Sequence, residues 1–383
     1  IKREMIEKYN FKSITEALKT IPGFSVMRTY FKRDIPTSRG IIQEHYANKV
    51  LFMINGIPTW NAITGEPDLN RIDINDVKRI EVLKGPASVL YGTNAYSGAI
   101  NIILRNDDDG AAHAGVGDNG LFRGGARYTK NEGNFQYSIS ANTQREDGDS
   151  YKFTDRYNDT RTYNEFIETS NFLFTGKYKK HYWLLNTSQT EESFLGLTPR
   201  LYHGAGKEQE IEGYLANYEY RANLKDNLSF QSGLTLDFNN RDFPRSGAPG
   251  ENYWNQLPLE RKVDSDGNPL PYKSQRSDVK SYRVSTYMKT QIEVSEKIGV
   301  DLGIDYEQRK SKRYNNYLEN NKDELAKNNM EGRDIYETSA FAQLRHVGSP
   351  LQTLIGTRYT YNQQFGDNIS SRGTLVYEIN DRN

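Results

Sequence analysis

The sequence contains no cysteine among its 383 residues. Disulfide staples and thiolate metal sites are therefore excluded, although that absence does not fix the compartment. Neither sign of charge is in excess: 50 basic side chains face 50 acidic ones. A protein that grips a phosphate backbone needs a basic surplus on some face, so a general nucleic-acid binder is not expected. Long apolar runs are missing too. A membrane-spanning helix needs about 20 largely apolar residues, whereas the longest strongly apolar stretch in the first 105 residues is Val50-Leu51-Phe52-Met53-Ile54. This leaves a soluble protein or a transmembrane barrel. A barrel hides its apolar residues by alternation, so a mean hydropathy of −0.82 does not count against it.

Signatures of chemistry are absent as well. There is no Gly-x-Ser-x-Gly, no His-Glu-x-x-His and no phosphate loop, so no enzyme and no catalytic residue is expected. His45, His113, His181, His203 and His346 are scattered without ligand-pair spacing, and no metal or cofactor site is read from them. Asp264-Ser265-Asp266-Gly267-Asn268 resembles a calcium loop but lacks the distal Glu, and reads as an Asp-Gly turn. No signal peptide is visible from Ile1 onward, and a targeting segment is expected to have been removed.

Aromatics and glycine, by contrast, are plentiful: 27 Tyr, 16 Phe, 3 Trp and 31 Gly suit many strands with aromatic ends and tight turns. Residues 1–105 read as a small α/β unit. Ile14, Leu18 and Ile21 recur at helical spacing, Ser13 and Glu16 have capping-box spacing, and Pro22-Gly23 ends the helix. Val50 to Ile54 reads as a strand entering a tight turn at Asn55-Gly56, and residues 76–83 as another strand stopped at Lys84-Gly85-Pro86.

Residues 106–383 have a different texture, in which apolar and polar residues alternate over long stretches. Phe135, Tyr137, Ile139 and Ala141 share one face, with Gln136, Ser138, Ser140 and Asn142 on the other. Leu234, Leu236 and Phe238 alternate with Thr235, Asp237 and Asn239; Tyr282, Val284 and Met288 alternate with Ser281, Arg283 and Lys289. We count about 12 such strands, many reaching the roughly 9–11 residues that cross a bilayer. Short turns such as Lys180-His181 and Lys225-Asp226-Asn227 alternate with long polar loops at residues 146–163, 193–207, 241–277 and 314–333. A soluble β-sandwich also alternates, but this regular inequality of connections favours a membrane barrel.

The stretch from Ile72 to Arg105 contains Ile80-Glu81-Val82, Gly85-Pro86, Ser88-Val89-Leu90-Tyr91-Gly92 and Gly98-Ala99-Ile100-Asn101-Ile102-Ile103. Together with Thr15-Glu16-Ala17-Leu18, Ile21-Pro22-Gly23, Arg39-Gly40 and Asn55-Gly56-Ile57-Pro58, it closely resembles the plug of TonB-dependent outer-membrane receptors, in that family's order and spacing. Ser38 departs from the apolar residue usual before Arg-Gly. The resemblance implies a mainly β fold: a transmembrane antiparallel barrel, incomplete in this chain, with an N-terminal α/β plug inside it. Barrels of the family have about 22 strands, so roughly half is expected to lie outside this chain, as is the TonB box.

What the resemblance implies for function is active import of a scarce nutrient, with a ferric siderophore or other metal chelate foremost. Cobalamin, haem, copper or a glycan fragment are sub-alternatives; a passive plugged porin or surface adhesin, or a soluble β-rich binding protein, are the other readings. The implied setting is the outer membrane of a Gram-negative bacterium, with TonB, membrane lipid and a small metal chelate as partners. Apical plug loops at residues 30–37 and 58–67 are expected to touch ligand, through Tyr30, Arg33, Trp60 and Asn61, since aromatic and cationic groups suit flat anionic chelates. Arg39, Arg79, Glu81 and Lys84 are expected at the plug–barrel contact, where a polar wall can pair their charges.

Overall fold

The computed structural model describes the chain except residues 30–31, 39, 41–48, 86–87, 155–159, 195–207, 245–274, 319–323, 328–329 and 379–383. Tyr30, Arg39 and the Asp264–Asn268 turn lie outside the described residues.

The N-terminal unit begins with two short helices, α1 (Arg3–Lys8) and α2 (Ile14–Lys19). The α2 cap forms as its spacing predicts: the Ser13 side chain accepts from the Glu16 backbone N–H at 3.2 Å. The return bond is shifted by one residue, because the Glu16 carboxylate takes the N–H of Lys12 at 2.7 Å. A hairpin follows, of β1 (Phe24–Arg28) and β2 (Asp34–Ser38). A second sheet runs in the order β4 (Ile57–Pro58), β3 (Val50–Ile54), β6 (Gly98–Leu104), β5 (Val77–Lys84). Every residue of β3 is buried, since it pairs in parallel with β6 and is covered on both faces, which is why it reads as an unbroken apolar run. Asn55 and Gly56 turn the chain back with φ of 50° and 83°, a left-handed pair that asparagine and glycine tolerate. Asp76 closes a short 3-10 turn (Ile74–Asp76) rather than opening β5. A third helix, α3 (Ser88–Tyr91), precedes β6.

From Gly110 onward the chain forms one antiparallel wall. Its strands are β7 (Gly110–Val116), β8 (Phe122–Glu132) and β9 (Phe135–Glu146), then, past a small side hairpin of β10 (Ser150–Thr154) and β11 (Thr160–Asn164), β12 (Ile167–Tyr178), β13 (His181–Ser193) and β14 (Glu208–Lys225). It continues with β15 (Leu228–Pro244), β16 (Gln275–Glu293), β17 (Ile298–Leu318), the short flanking β18 (Glu324–Lys327), β19 (Asp334–His346), β20 (Leu351–Asn362) and β21 (Gly366–Tyr377). Neighbours in sequence are neighbours in the sheet, and the path ends at β7 and β21 without closing on itself.

The wall is inside out relative to a soluble protein. Leu234, Phe135 and Ile304 are 44%, 40% and 56% exposed, while Asp237, Asn186 and Arg283 are at most 1% exposed. Apolar side chains therefore point outward and polar ones inward, the arrangement lipid imposes on a barrel. Near the short turns, rings gather on the outer face: Trp183 and Tyr218 have centroids 6.2 Å apart, Phe135 and Tyr178 6.4 Å. Such belts mark a membrane–water interface. On the inner face, Leu173, Leu184 and Leu215 form an apolar patch that joins the core of the N-terminal unit around Leu18, Ile54, Ile80 and Ile100.

Several loops expected from polarity turn out to be strand. β16 is 19 residues long and β17 21, so parts of 241–277 and 314–333 remain hydrogen-bonded to neighbours, and 146–163 holds the β10–β11 hairpin. Above a bilayer both faces of a strand are wet, so alternation disappears from the residue pattern while pairing continues. Leu234→Arg should cost about 2–4 kcal/mol of stability in lipid vesicles if Leu234 faces acyl chains. Urea unfolding of the vesicle-inserted protein measures it, and no loss would mean the outer face does not meet lipid.

Candidate functional site

The N-terminal unit lies against the polar inner face of the wall, and three groups of bonds join them. The first centres on Asp237 of β15, which is fully buried. Arg71 Nη1 donates to Asp237 Oδ1 at 2.8 Å, and the Thr59 hydroxyl donates to Oδ2 at 2.9 Å. Arg71 reaches this position because Gly213 leaves room: a Cβ there would lie 2.5 Å from Arg71 Nη2. Arg283 of β16 approaches Asp237 at 3.4 Å, donates to the Pro58 carbonyl, and gives Nη1 to Glu307 at 2.9 Å. The chain of charges continues from Glu307 to Arg309 and from Arg309 to Glu337, which accepts from Thr93 of the N-terminal unit. Trp60 sits within this network, with Arg283 and Arg309 at 5.2 and 5.4 Å from its ring.

The second group is at the tip of the β1–β2 hairpin. Lys32 donates to the Phe166 carbonyl at 2.8 Å and the Ser193 hydroxyl at 3.0 Å, where the long-loop ends of β12 and β13 meet. Burial pulls its ammonium below the ordinary lysine value, against the opposing pull of Glu192 and Glu165. In the third, Asp76 accepts from Ser140 at 2.7 Å and Asn142 at 2.8 Å, both on β9. Burial raises the Asp76 carboxyl from 3.8 to about 6, outweighing both hydrogen bonds.

This arrangement of a small folded stopper held against a lipid-facing wall agrees with the comparisons. A family model described as the TonB-dependent receptor plug domain matches residues 1–99. The N-terminal unit thus carries the plug of the TonB-dependent receptors. Over 108 residues the chain is 32% identical to the vitamin B12 transporter BtuB of Vibrio vulnificus, a stretch covering 28% of this chain and 17% of that relative. Over 127 residues it is 31% identical to BtuB of Photobacterium profundum, covering 32% and 20%. Among solved structures, the ferric enterobactin receptor PfeA of Pseudomonas aeruginosa superposes with a TM-score of 0.74 at 15% identity, over all of this chain and 59% of PfeA. The siderophore receptor PirA of Acinetobacter baumannii gives 0.69 at 17% identity, over all of this chain and 59% of PirA. This chain thus spans a little over half the length of the receptors whose fold it shares.

The ligand-contact residues expected from sequence are not gathered in one place. Arg33 is buried beside Asp68, 3.6 Å away, in a plug–wall cavity of about 290 Å³ that Lys32 and Glu165 also line. Trp60 borders a different cleft of about 660 Å³, with Thr93, Tyr96, Arg309 and Arg358, on the long-loop side. Asn61 shapes its own loop, its side-chain oxygen accepting from the N–H groups of Ile63 and Thr64. Of the residues expected at the plug–barrel contact, Arg79 pairs with Glu81 at 2.7 Å, both about half exposed, and Lys84 donates to the Pro22 carbonyl at 2.5 Å. These bonds lie within the plug. Bonds to the described wall are made by Thr59, Arg71, Lys32, Asp76 and Thr93, among others. Period-two alternation already puts Asp237 and Arg283 on the inward face, but nothing in it pairs them with Arg71.

Asp237→Ala should cost about 3–5 kcal/mol, because it strands Arg71 as a buried cation without its counter-charge and leaves Arg283 with Glu307 alone; limited proteolysis should then cut the plug while the wall stays resistant. Asp76 gives a pH test. Its neutral form is favoured in the fold, so its contribution is complete below the ordinary value of 3.8 and is lost as pH rises through about 6. Plug protection in the native protein should fall across that window, and Asp76→Asn, which stays neutral, should flatten the change.

Proposed function

We propose that this receptor actively imports a metal chelate across the outer membrane of a Gram-negative bacterium, with TonB supplying the pull that loosens the plug. The observation carrying this reading is the plug held by buried charges against a polar wall, beside a long-loop cleft floored by Trp60. A solute bound in that cleft touches the plug through Trp60 and residues 62–65 and the wall through Arg309, Arg358 and Asn362. Asn61, and Tyr30 and Arg33 of the 30–37 loop, are proposed as further contacts, Arg33 from the separate cavity beside Asp68. Arg39, Arg79, Glu81 and Lys84 are proposed to meet wall strands beyond those of this chain.

A ferric siderophore is favoured by the roles of the structural relatives PfeA and PirA, and cobalamin by that of the BtuB relatives. Wall residues supply only weak, multiple contacts, as a conduction path requires. The decisive experiment is growth of a strain lacking the gene, with single ferric chelates or cobalamin as the sole source. Growth on one of them should be lost, return with the full-length gene, and fail again without TonB. Identical growth of deletion and parent on every source, or uptake that persists without TonB, would replace this reading with a plugged porin or adhesin.

A further inference from the structure

We infer that the short-turn end of the lumen holds a second binding station, for a planar aromatic carboxylate, formed by Lys177, Tyr182 and Arg221 opposite the Asn55–Ile57 turn of the plug. As a stop on the solute's way out, it rests on the import reading; as a binding site, it stands on its own geometry.

Sheet register builds it. Lys177 of β12 lies opposite Tyr182 of β13, and Tyr182 opposite Glu219 of β14, so a cation, a ring and a carboxylate from three adjacent strands stand in one row. Arg221 follows two residues along β14 on the same face. Its guanidinium lies 4.5 Å from the Tyr182 ring centre, and Lys177 Nζ lies 5.4 Å from that same centre. Two cations thus share one ring, and their mutual repulsion leaves a place for an anion.

Glu219 does not fill that place. It accepts from Arg221 Nε at 2.9 Å, and its other oxygen accepts from the Tyr287 hydroxyl at 2.6 Å. Among the described residues no carboxylate pairs with Lys177, whose close contact is the Tyr182 ring. The row opens on a cleft of about 300 Å³ closed on the plug side by Asn55, Ile57, Ile103 and Asn106. With Lys177 and Arg221 against Glu219, the lining carries one positive charge in excess. A ring stacked on Tyr182 with its carboxylate on Lys177 satisfies both features, and a neutral ring satisfies only one. The cleft lies at the opposite end of the strands from Trp60, beside the Lys179-Lys180 turn.

Benzoate and its neutral counterpart benzamide are suitable probes, followed by saturation-transfer NMR on the purified full-length protein in detergent. Benzoate should bind more tightly than benzamide and weaken as salt rises. Lys177→Gln and Tyr182→Leu should each weaken benzoate about fivefold, while Lys177→Arg retains it. Equal binding of the two probes, no binding of either, or benzoate binding untouched by Lys177→Gln in protein that still inserts normally, overturns the station. In cells, Lys177→Gln should slow uptake of an aromatic carboxylate chelate without reducing its surface binding. A wild type that imports no chelate would sink the import reading, and the NMR comparison would still decide the station.

Discussion

A charged side chain can be buried only if an opposite charge is held at a fixed place beside it, and in this protein that constraint joins plug to wall. Arg71 belongs to one and Asp237 to the other, and both are sealed from solvent. Neither can be withdrawn from water alone without a penalty of several kcal/mol. Gly213 makes the approach possible by lacking a side chain. Arg283 then extends the pairing to Glu307, and the sequence of alternating charges reaches Arg309 and Glu337 before returning to the plug at Thr93. A buried network of this kind specifies one docking position. It also sets a condition for release, since moving the plug exposes several charges together.

The wall obeys a second constraint, imposed by its solvent. Leu234, Phe135 and Ile304 face outward because lipid accepts them, and Ser140, Asn142, Asn186 and Asp237 face inward because the lumen is polar. The inner face is not uniform. Leu173, Leu184 and Leu215 meet the apolar core of the plug, while the flanking positions bind it through Asp76 and Lys32. The plug is thus seated on an apolar patch and positioned by polar bonds around it. Among the described residues, clefts between plug and wall lie beside Trp60 at the long-loop end of the strands, beside Tyr182 at the short-turn end, and beside Arg33.

Much of this was legible in the residues. Alternation gave the wall and the facing of Phe135, Leu234 and Arg283, and the order of motifs from Thr15 to Ile103 gave the plug. Strand ends were less legible: β16 and β17 run on through polar residues because an antiparallel neighbour keeps their backbone bonded where no lipid enforces alternation. Trp60 is an expected ligand contact from its residue type and loop, but its two arginine neighbours come from strands more than 200 residues away in sequence.

By itself, the sequence determined local matters: which faces are apolar, where Asn55-Gly56 turns, how Ser13 caps α2, and which family the plug resembles. Each depends on residues a few positions apart, whose sterics and hydrogen bonds are the same wherever the segment lies. Tertiary structure alone decided the partners of charge. Arg79 pairs with Glu81 within the plug, whereas Arg71, equally basic and only eight positions earlier, crosses to Asp237 on the wall. Charge attraction acts through space and through burial, and neither distance nor burial is written in the order of residues.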